Sequence, residues 1–167
     1  MLRSISKAKN TDHVIYTMES FEQYPDLHYA TLDFKKSIRL THGIDQQKDY
    51  LWGTAELVSW ISLDGRKLEG VVYKPADFDP AKKYPMIVSF YERNSETLFN
   101  YRMPGTPIGL PLIIIFYNSN GYIVFNPDIR YVDGYPGESC YNCLMPGVAM
   151  LIGKGYIDEK AIGAQGH

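Results

Sequence analysis

Hydrophobic and polar residues alternate in two short stretches near the start of the chain, His13 to Met18 and Leu27 to Leu32. A period of two is what a half-buried strand requires, and the intervening Tyr24-Pro25-Asp26 has turn chemistry. The two stretches therefore predict a pair of strands. From Thr41 to Asp49 no apolar period is present, which predicts a connection. A second pair of alternating runs, 56–63 and 66–73, flanks Asp64-Gly65. Asp-Gly readily takes the positive φ values of a two-residue type I′ turn, so the runs predict an antiparallel hairpin. That turn also accounts for Asp64, the competing reading being a catalytic acid. Met86 to Tyr91, after a proline- and aspartate-rich loop from Pro75 to Lys83, reads as a short buried strand.

Further along, Leu110 to Tyr117 is apolar throughout and holds three consecutive isoleucines, and periodicity does not decide between strand and helix there. Tyr122 to Phe125 predicts another short strand. Leu144, Val148, Leu151 and Ile152 fall at i, i+4, i+7 and i+8, the spacing of one helix face, with Pro146 near the start and Gly155 past the end. Ala161 to Gln165 predicts a final strand of small residues. Strand, helix and strand from Tyr122 onward make a βαβ unit, so the second part is expected to be α/β with parallel pairing, and the first part all β.

Composition narrows the class. The 167 residues are 45% hydrophobic and 22% charged, a globular profile that excludes disorder for the bulk of the chain. Net charge is −2, which supplies no basic field for nucleic acid. The apolar run at Leu110 to Tyr117 is far shorter than the roughly 20 residues of a membrane-spanning helix. No continuous apolar stretch near Met1 forms a secretory signal, and the compartment is not readable.

The candidate chemistry is sparse. Cys140 and Cys143 have the C-x-x-C spacing of a zinc half-site or redox pair, but no second pair is present and His13, His28, His42 and His167 are scattered. Two cysteines do not make a disulfide scaffold, and the pair reads as inert, with no metal and no cofactor expected. Gly134-Tyr-Pro-Gly137 lacks the pattern of a phosphate cradle and reads as a loop. A strand of small residues ending in Gly166-His167 is what precedes a nucleophile elbow, G-x-S-x-G, with its serine one residue further on.

These residues together resemble the prolyl oligopeptidase family of serine peptidases, including its dipeptidyl peptidase and acylaminoacyl peptidase-like members. The resemblance runs through Leu57 to Pro75, with Trp60-Ile-Ser-Leu-Asp-Gly and Leu68-Glu-Gly-Val-Val-Tyr-Lys-Pro. It continues in Lys154-Gly-Tyr-Ile-Asp-Glu-Lys-Ala-Ile-Gly-Ala-Gln-Gly-His167, and covers essentially the whole chain. Residues 1–52, with Leu27-His-Tyr-Ala-Thr-Leu-Asp33 followed by Leu40-Thr41, resemble the end of a β-propeller. Residues 53–167 resemble the N-terminal half of an α/β-hydrolase sheet.

The resemblance implies that Pro111 to Ser119 is the first helix of that core. It also implies that Tyr91 stands where dipeptidyl peptidase-like members place an oxyanion-hole tyrosine. The chain has Glu92-Arg93-Asn94 where many members have Gly-Gly-Pro, and Asp128-Ile129-Arg130-Tyr131 where many have Arg-Gly, so Arg130 reads as structural. The family's serine, aspartate and histidine would all lie beyond His167, which is not the triad histidine. The expectation is a fragment, itself inactive, of an enzyme that cleaves short peptides by acyl transfer. The alternative is a noncatalytic α/β binding or interaction module. If the chain ends here, Ala161 to Gln165 would be an edge strand with no charge or proline to discourage pairing, and self-association through it is expected.

Overall fold

In a computed structural model, residues 1–43, 46–104 and 112–166 are described, and they divide into two units. The first, Met1–Asp49 with Phe99–Arg102, is an antiparallel sheet of four strands in sequence order: β1 (Leu2–Lys7), β2 (His13–Ser20), β3 (Gln23–Thr31) and β4 (Ser37–Arg39). The alternation in β2 and β3 turns Val14, Tyr16 and Ala30 into one small apolar cluster with Met18 against it. The expected turn at Tyr24-Pro25-Asp26 lies inside β3 instead, and the chain reverses at Phe21-Glu22. The ladder breaks register between Met18 and Ser20. Proline, which has no N–H to offer a ladder, is tolerated beside such an irregularity. The outer strands β1 and β4 lie almost wholly at the surface, so no buried alternation announces them. Within the expected connection, Gln46–Asp49 forms a 3₁₀ turn, while Ile44 and Asp45 lie outside the described residues.

The second unit, Tyr50–Leu98 with the residues from Met103 on, is built on a mixed five-stranded sheet. Its elements are β5 (Thr54–Ile61), β6 (Lys67–Lys74), β7 (Tyr84–Phe90), α1 (Ile114–Ser119), β8 (Ile123–Pro127), α2 (Pro136–Gly153) and β9 (Ile157–Gly166). The strand order is β5-β6-β8-β7-β9. β7 pairs in parallel with β8 and with β9, and the hairpin β5–β6 joins antiparallel through β6 and β8. The strands linked by α2 are thus not neighbours but flank β7, and β9 takes the sheet edge. α1 occupies part of the helix expected over Pro111 to Ser119; Pro111 lies outside the described residues.

One face of this sheet meets α2 in a cluster that includes Trp60, Leu68, Val72, Met86, Phe125, Val148 and Leu151. Trp60 and Phe125 meet edge to face at 5.4 Å between ring centroids. Gly147 lets α2 come this close, because a Cβ there would stand 2.9 Å from the Trp60 ring.

α2 begins ten residues before Pro146, at Pro136, which takes the first helical turn, where a missing N–H costs nothing. Gly134-Tyr-Pro-Gly137 is therefore a helix start and not simply a loop: Gly134 turns the chain at φ +83 and Tyr135 is the N-cap. Pro146, expected at the helix start, sits in its interior. A proline there leaves the carbonyl four residues back without its helical donor. That carbonyl, of Asn142, instead accepts the Leu63 amide from the β5–β6 loop at 3.0 Å, and the next, of Cys143, accepts the Trp60 indole N–H at 2.8 Å. The proline thus supplies the acceptor that fastens the hairpin to the helix.

The hairpin itself differs from the expected two-residue turn. Ser62 N–H donates to Arg66 O at 2.9 Å, enclosing three residues, and only Gly65 has positive φ, +81. This is a type I turn followed by a left-handed glycine, the usual three-residue loop.

Candidate active site

Parallel pairing brings the carboxyl ends of β7, β8 and β9 to one end of the sheet, where open α/β sheets bind their ligands. β7 delivers Tyr91 there, 63% exposed, directly after Phe90, which is registered with Gly166 of β9. β8 delivers Asn126, Pro127, Asp128 and Ile129, all buried, then the exposed Arg130 and Tyr131. His167 lies outside the described residues.

Asp128 organises the ground behind Tyr91. Its Oδ1 accepts the Asn94 and Ser95 amides at 2.7 and 2.8 Å, and its Oδ2 the Ser95 hydroxyl at 2.6 Å. Asn94 Nδ2 donates to Pro127 O at 3.0 Å, and the Ile129 amide donates to Glu92 O at 2.7 Å. Tyr131 stands in the same neighbourhood: burial raises its phenol pKa first, and the negative forms of Cys140, Cys143, Glu92 and Tyr91 raise it further.

A cleft of about 250 Å³ opens beside this ground, lined by Asp64, Arg130, Tyr135, Glu138 and Asn142 among others. Asp64 lines it as a turn residue. The Ser62 hydroxyl bonds to its carboxylate and the Arg66 guanidinium lies at 2.9 Å; chiefly the hydroxyl holds the carboxyl below its usual range.

Cys140 and Cys143 lie one turn apart on α2 as free thiols. Burial, then Cys143, pushes the Cys140 thiol up, opposite to the low-pKa thiolate of a reactive cysteine. The Cys143 sulfur receives the Arg130 amide at 3.4 Å. Among the described residues no three His, Cys, Asp or Glu side chains are grouped to hold a metal, and no helix is long and apolar enough to cross a membrane. Tyr91 follows the last residue of β7, as the sequence predicts for a strand end, whereas the sequence does not single out Asp128, whose Asn-Pro-Asp context signals only a turn.

This architecture is shared with dipeptidyl peptidase IV-like and prolyl oligopeptidase proteins, and the resemblance carried by the sequence has its counterpart in the structure. A Bacteroides ovatus protein assigned as a dipeptidyl aminopeptidase IV superposes with a TM-score of 0.69 at 22% identity, covering 98% of this chain and 24% of its own. Dipeptidyl peptidase 4 of Porphyromonas gingivalis gives 0.62 at 19%, covering 98% of this chain and 24% of its own. Prolyl oligopeptidase B of Galerina marginata gives 0.65 at 15%, covering 99% and 24%. The chain thus spans about a quarter of the length of these structures. No family model matches it, and no curated protein matches it in sequence.

Proposed function

We propose that this chain is part of a serine peptidase of the prolyl oligopeptidase kind, one that hydrolyses short peptides by acyl transfer. In this reading β1–β4, within residues 1–52, form the end of a β-propeller. Residues 53–167 are the first part of an α/β-hydrolase domain, with β9 leading toward a G-x-S-x-G elbow that begins at Gly166-His167. The observation that carries the reading is the trio β8-β7-β9 with Tyr91 at its carboxyl end, in a chain that superposes along nearly its whole length on such peptidases.

The chemistry assigned to Tyr91 is electrostatic. When a serine attacks the scissile carbonyl, the carbonyl oxygen becomes an oxyanion, and the Tyr91 hydroxyl donates a hydrogen bond to it. A donor aimed at charge that develops only in the transition state lowers the barrier, and loss of one such donor costs roughly 100- to 1,000-fold in kcat. The 167 residues hold no serine in a G-x-S-x-G sequence, so this chain alone forms no acyl-enzyme.

A fluorophosphonate probe tests this on two samples. The 167-residue chain should stay unlabelled, and the complete gene product should be labelled once, at a serine following His167. Labelling within the 167 residues would overturn the inactivity of this segment. A coding sequence that stops at His167 would overturn the peptidase reading in favour of a noncatalytic module.

A further inference from the structure

We infer that Asp128 is a positioning residue for Tyr91: its carboxylate fixes the backbone that carries the phenol into the crevice. This rests on the reading of Tyr91 as oxyanion donor and adds to it a residue outside the triad and the oxyanion hole.

Tyr91 lies between two fixed points. On one side Phe90 is held in the β7–β9 ladder opposite Gly166. On the other, Glu92 O accepts the Ile129 amide at 2.7 Å, and Asn94 and Ser95 are bound to the Asp128 carboxylate by three hydrogen bonds of 2.6 to 2.8 Å. Asp128 is itself held, 8% exposed, with its amide donating to Glu69 O at 2.9 Å. Carboxylate bonds from backbone amides in a shielded site are among the stronger hydrogen bonds. A tyrosine at a strand end would otherwise be followed by a free loop, and a donor displaced by 1 Å loses much of its effect. The exposed Arg93, paired with Glu96 at 3.0 Å, lies between the fixed residues and takes no part in fixing them.

The carboxylate geometry gives a discriminating pair of variants. Both amides go to one oxygen and the hydroxyl to the other. In Asp128→Asn the amide oxygen can still accept both N–H groups while Nδ2 donates to Ser95 Oγ; Asp128→Ala removes all three bonds.

The test uses the 167-residue chain with tyrosine labelled at Cζ, the Tyr91 resonance being assigned by Tyr91→Phe. Asp128→Ala should move or broaden that resonance and speed exchange of the Asn94 and Ser95 amides at least tenfold. The resonances of the core residues Tyr73 and Tyr84 should stay in place, and Asp128→Asn should restore the Tyr91 signal. An unchanged Tyr91 resonance in Asp128→Ala while the two amides open would overturn the inference, leaving a cap for the following turn. So would an Asp128→Asn variant indistinguishable from Asp128→Ala. If Asp128→Ala unfolds, Ser95→Ala decides: it deletes the Oδ2 bond alone, and a Tyr91 resonance that ignores it overturns the inference.

The underlying reading fails separately, when Tyr91→Phe leaves kcat of the complete gene product unchanged. If it stands, Asp128→Ala should lower kcat there about 10- to 100-fold with little change in KM, and cause no further loss in a Tyr91→Phe background. Independent, multiplying losses would overturn positioning through Tyr91.

Discussion

Two turns of this molecule, one in each unit, are built to the same plan: a hydroxyl residue, threonine or serine, opens each, and they part company at the fourth position. Thr31-Leu32-Asp33-Phe34 begins on the last residue of β3, and Ser62-Leu63-Asp64-Gly65 follows β5. In each, the fourth residue's amide donates to the first residue's carbonyl, at 2.8 Å for Phe34 and 3.0 Å for Gly65. In each, the hydroxyl of the first residue donates to Oδ1 of the aspartate. The fourth residue is left-handed in both, φ 56 for Phe34 and 81 for Gly65. Glycine enters that region without strain and phenylalanine does not. The difference is explained by what the ring gains: Phe34 lies against Tyr16, 5.4 Å between centroids, whereas no atom lies within 4 Å of a Cβ built on Gly65. A hydroxyl and an aspartate two residues apart can set the turn, and the left-handed position is then filled either by the residue that fits the backbone or by one that finds a contact.

The supports behind the turns differ more. The strand leading to Ser62 carries Trp60, packed on Phe125 and bonded to Cys143 O, in a cluster that holds fifteen buried residues among those described. The strand leading to Thr31 ends in a cluster of three and relies on polar bonds: the fully buried Asp26 carboxylate accepts the Arg39 guanidinium, the Thr41 hydroxyl at 2.8 Å and the Gly43 amide at 2.8 Å. Trp60→Ala should therefore have the largest effect, about 3–5 kcal/mol lost in urea unfolding. A loss below about 1 kcal/mol would show that α2 does not depend on the indole. Asp26→Ala should come next, at about 2–3 kcal/mol, because hydrogen bonds to a charged group are the stronger kind and Arg39, half exposed, can turn to water. A loss near zero would make the network decorative and the first unit dependent on its few apolar contacts.

Acid acts on the same features. Burial alone would raise the Asp26 pKa, yet the bonds from Gly43, Thr41 and Arg39 outweigh it and leave the carboxyl below its ordinary 3.8. The Thr31 hydroxyl does most to lower Asp33, and the Ser62 hydroxyl most to lower Asp64. A carboxyl whose folded pKa is depressed contributes stability that is whole above its unfolded value and is lost as pH falls through the folded value. Stability should thus hold from neutrality to about pH 4 and decline below it. Asp26→Asn should flatten the decline, because the titrating group is gone. An Asp26→Asn chain that declines as steeply as the parent would assign the acid sensitivity to other carboxyls, among them Glu56, lowered chiefly by its bond from Lys74.

What could be read from the sequence follows burial. β2, β3, β5, β6 and β7 carry apolar residues at a period the core enforces, and their places were legible. β1 and β4 face outward along nearly their whole length and left no such trace. Pro146 misled because a proline is ordinarily punctuation; inside α2 its vacated carbonyl is answered by Leu63, a residue 83 positions from Pro146, and no local pattern holds that information. The role proposed for Tyr91 rests on resemblance, since a tyrosine ending a strand has no signature of its own. Asp128 was not, because its three bonds close across a gap of more than thirty residues. Asp64-Gly65 predicts a two-residue turn, but the glycine alone is left-handed and the loop has three residues. Thr31 to Phe34 has no turn signal in the sequence, a phenylalanine giving no hint of positive φ.

Exchanging the two fourth residues sharpens the opening comparison and carries the smallest effects. Gly65→Phe places a side chain in a left-handed position with no neighbour to meet, so it should cost about 1–2 kcal/mol. The reverse, Phe34→Gly, relieves a similar strain. It also loses a ring contact worth about 0.5–1.5 kcal/mol and adds freedom to the unfolded chain worth about 0.4–1 kcal/mol. The terms nearly cancel, and the expected change is a loss of less than about 1 kcal/mol. Both substitutions thus destabilise, although they are opposites, because each residue suits its own surroundings. If Phe34→Gly instead stabilised the chain by more than about 1 kcal/mol, the ring of Phe34 would contribute little against Tyr16 and its backbone strain would stand unoffset.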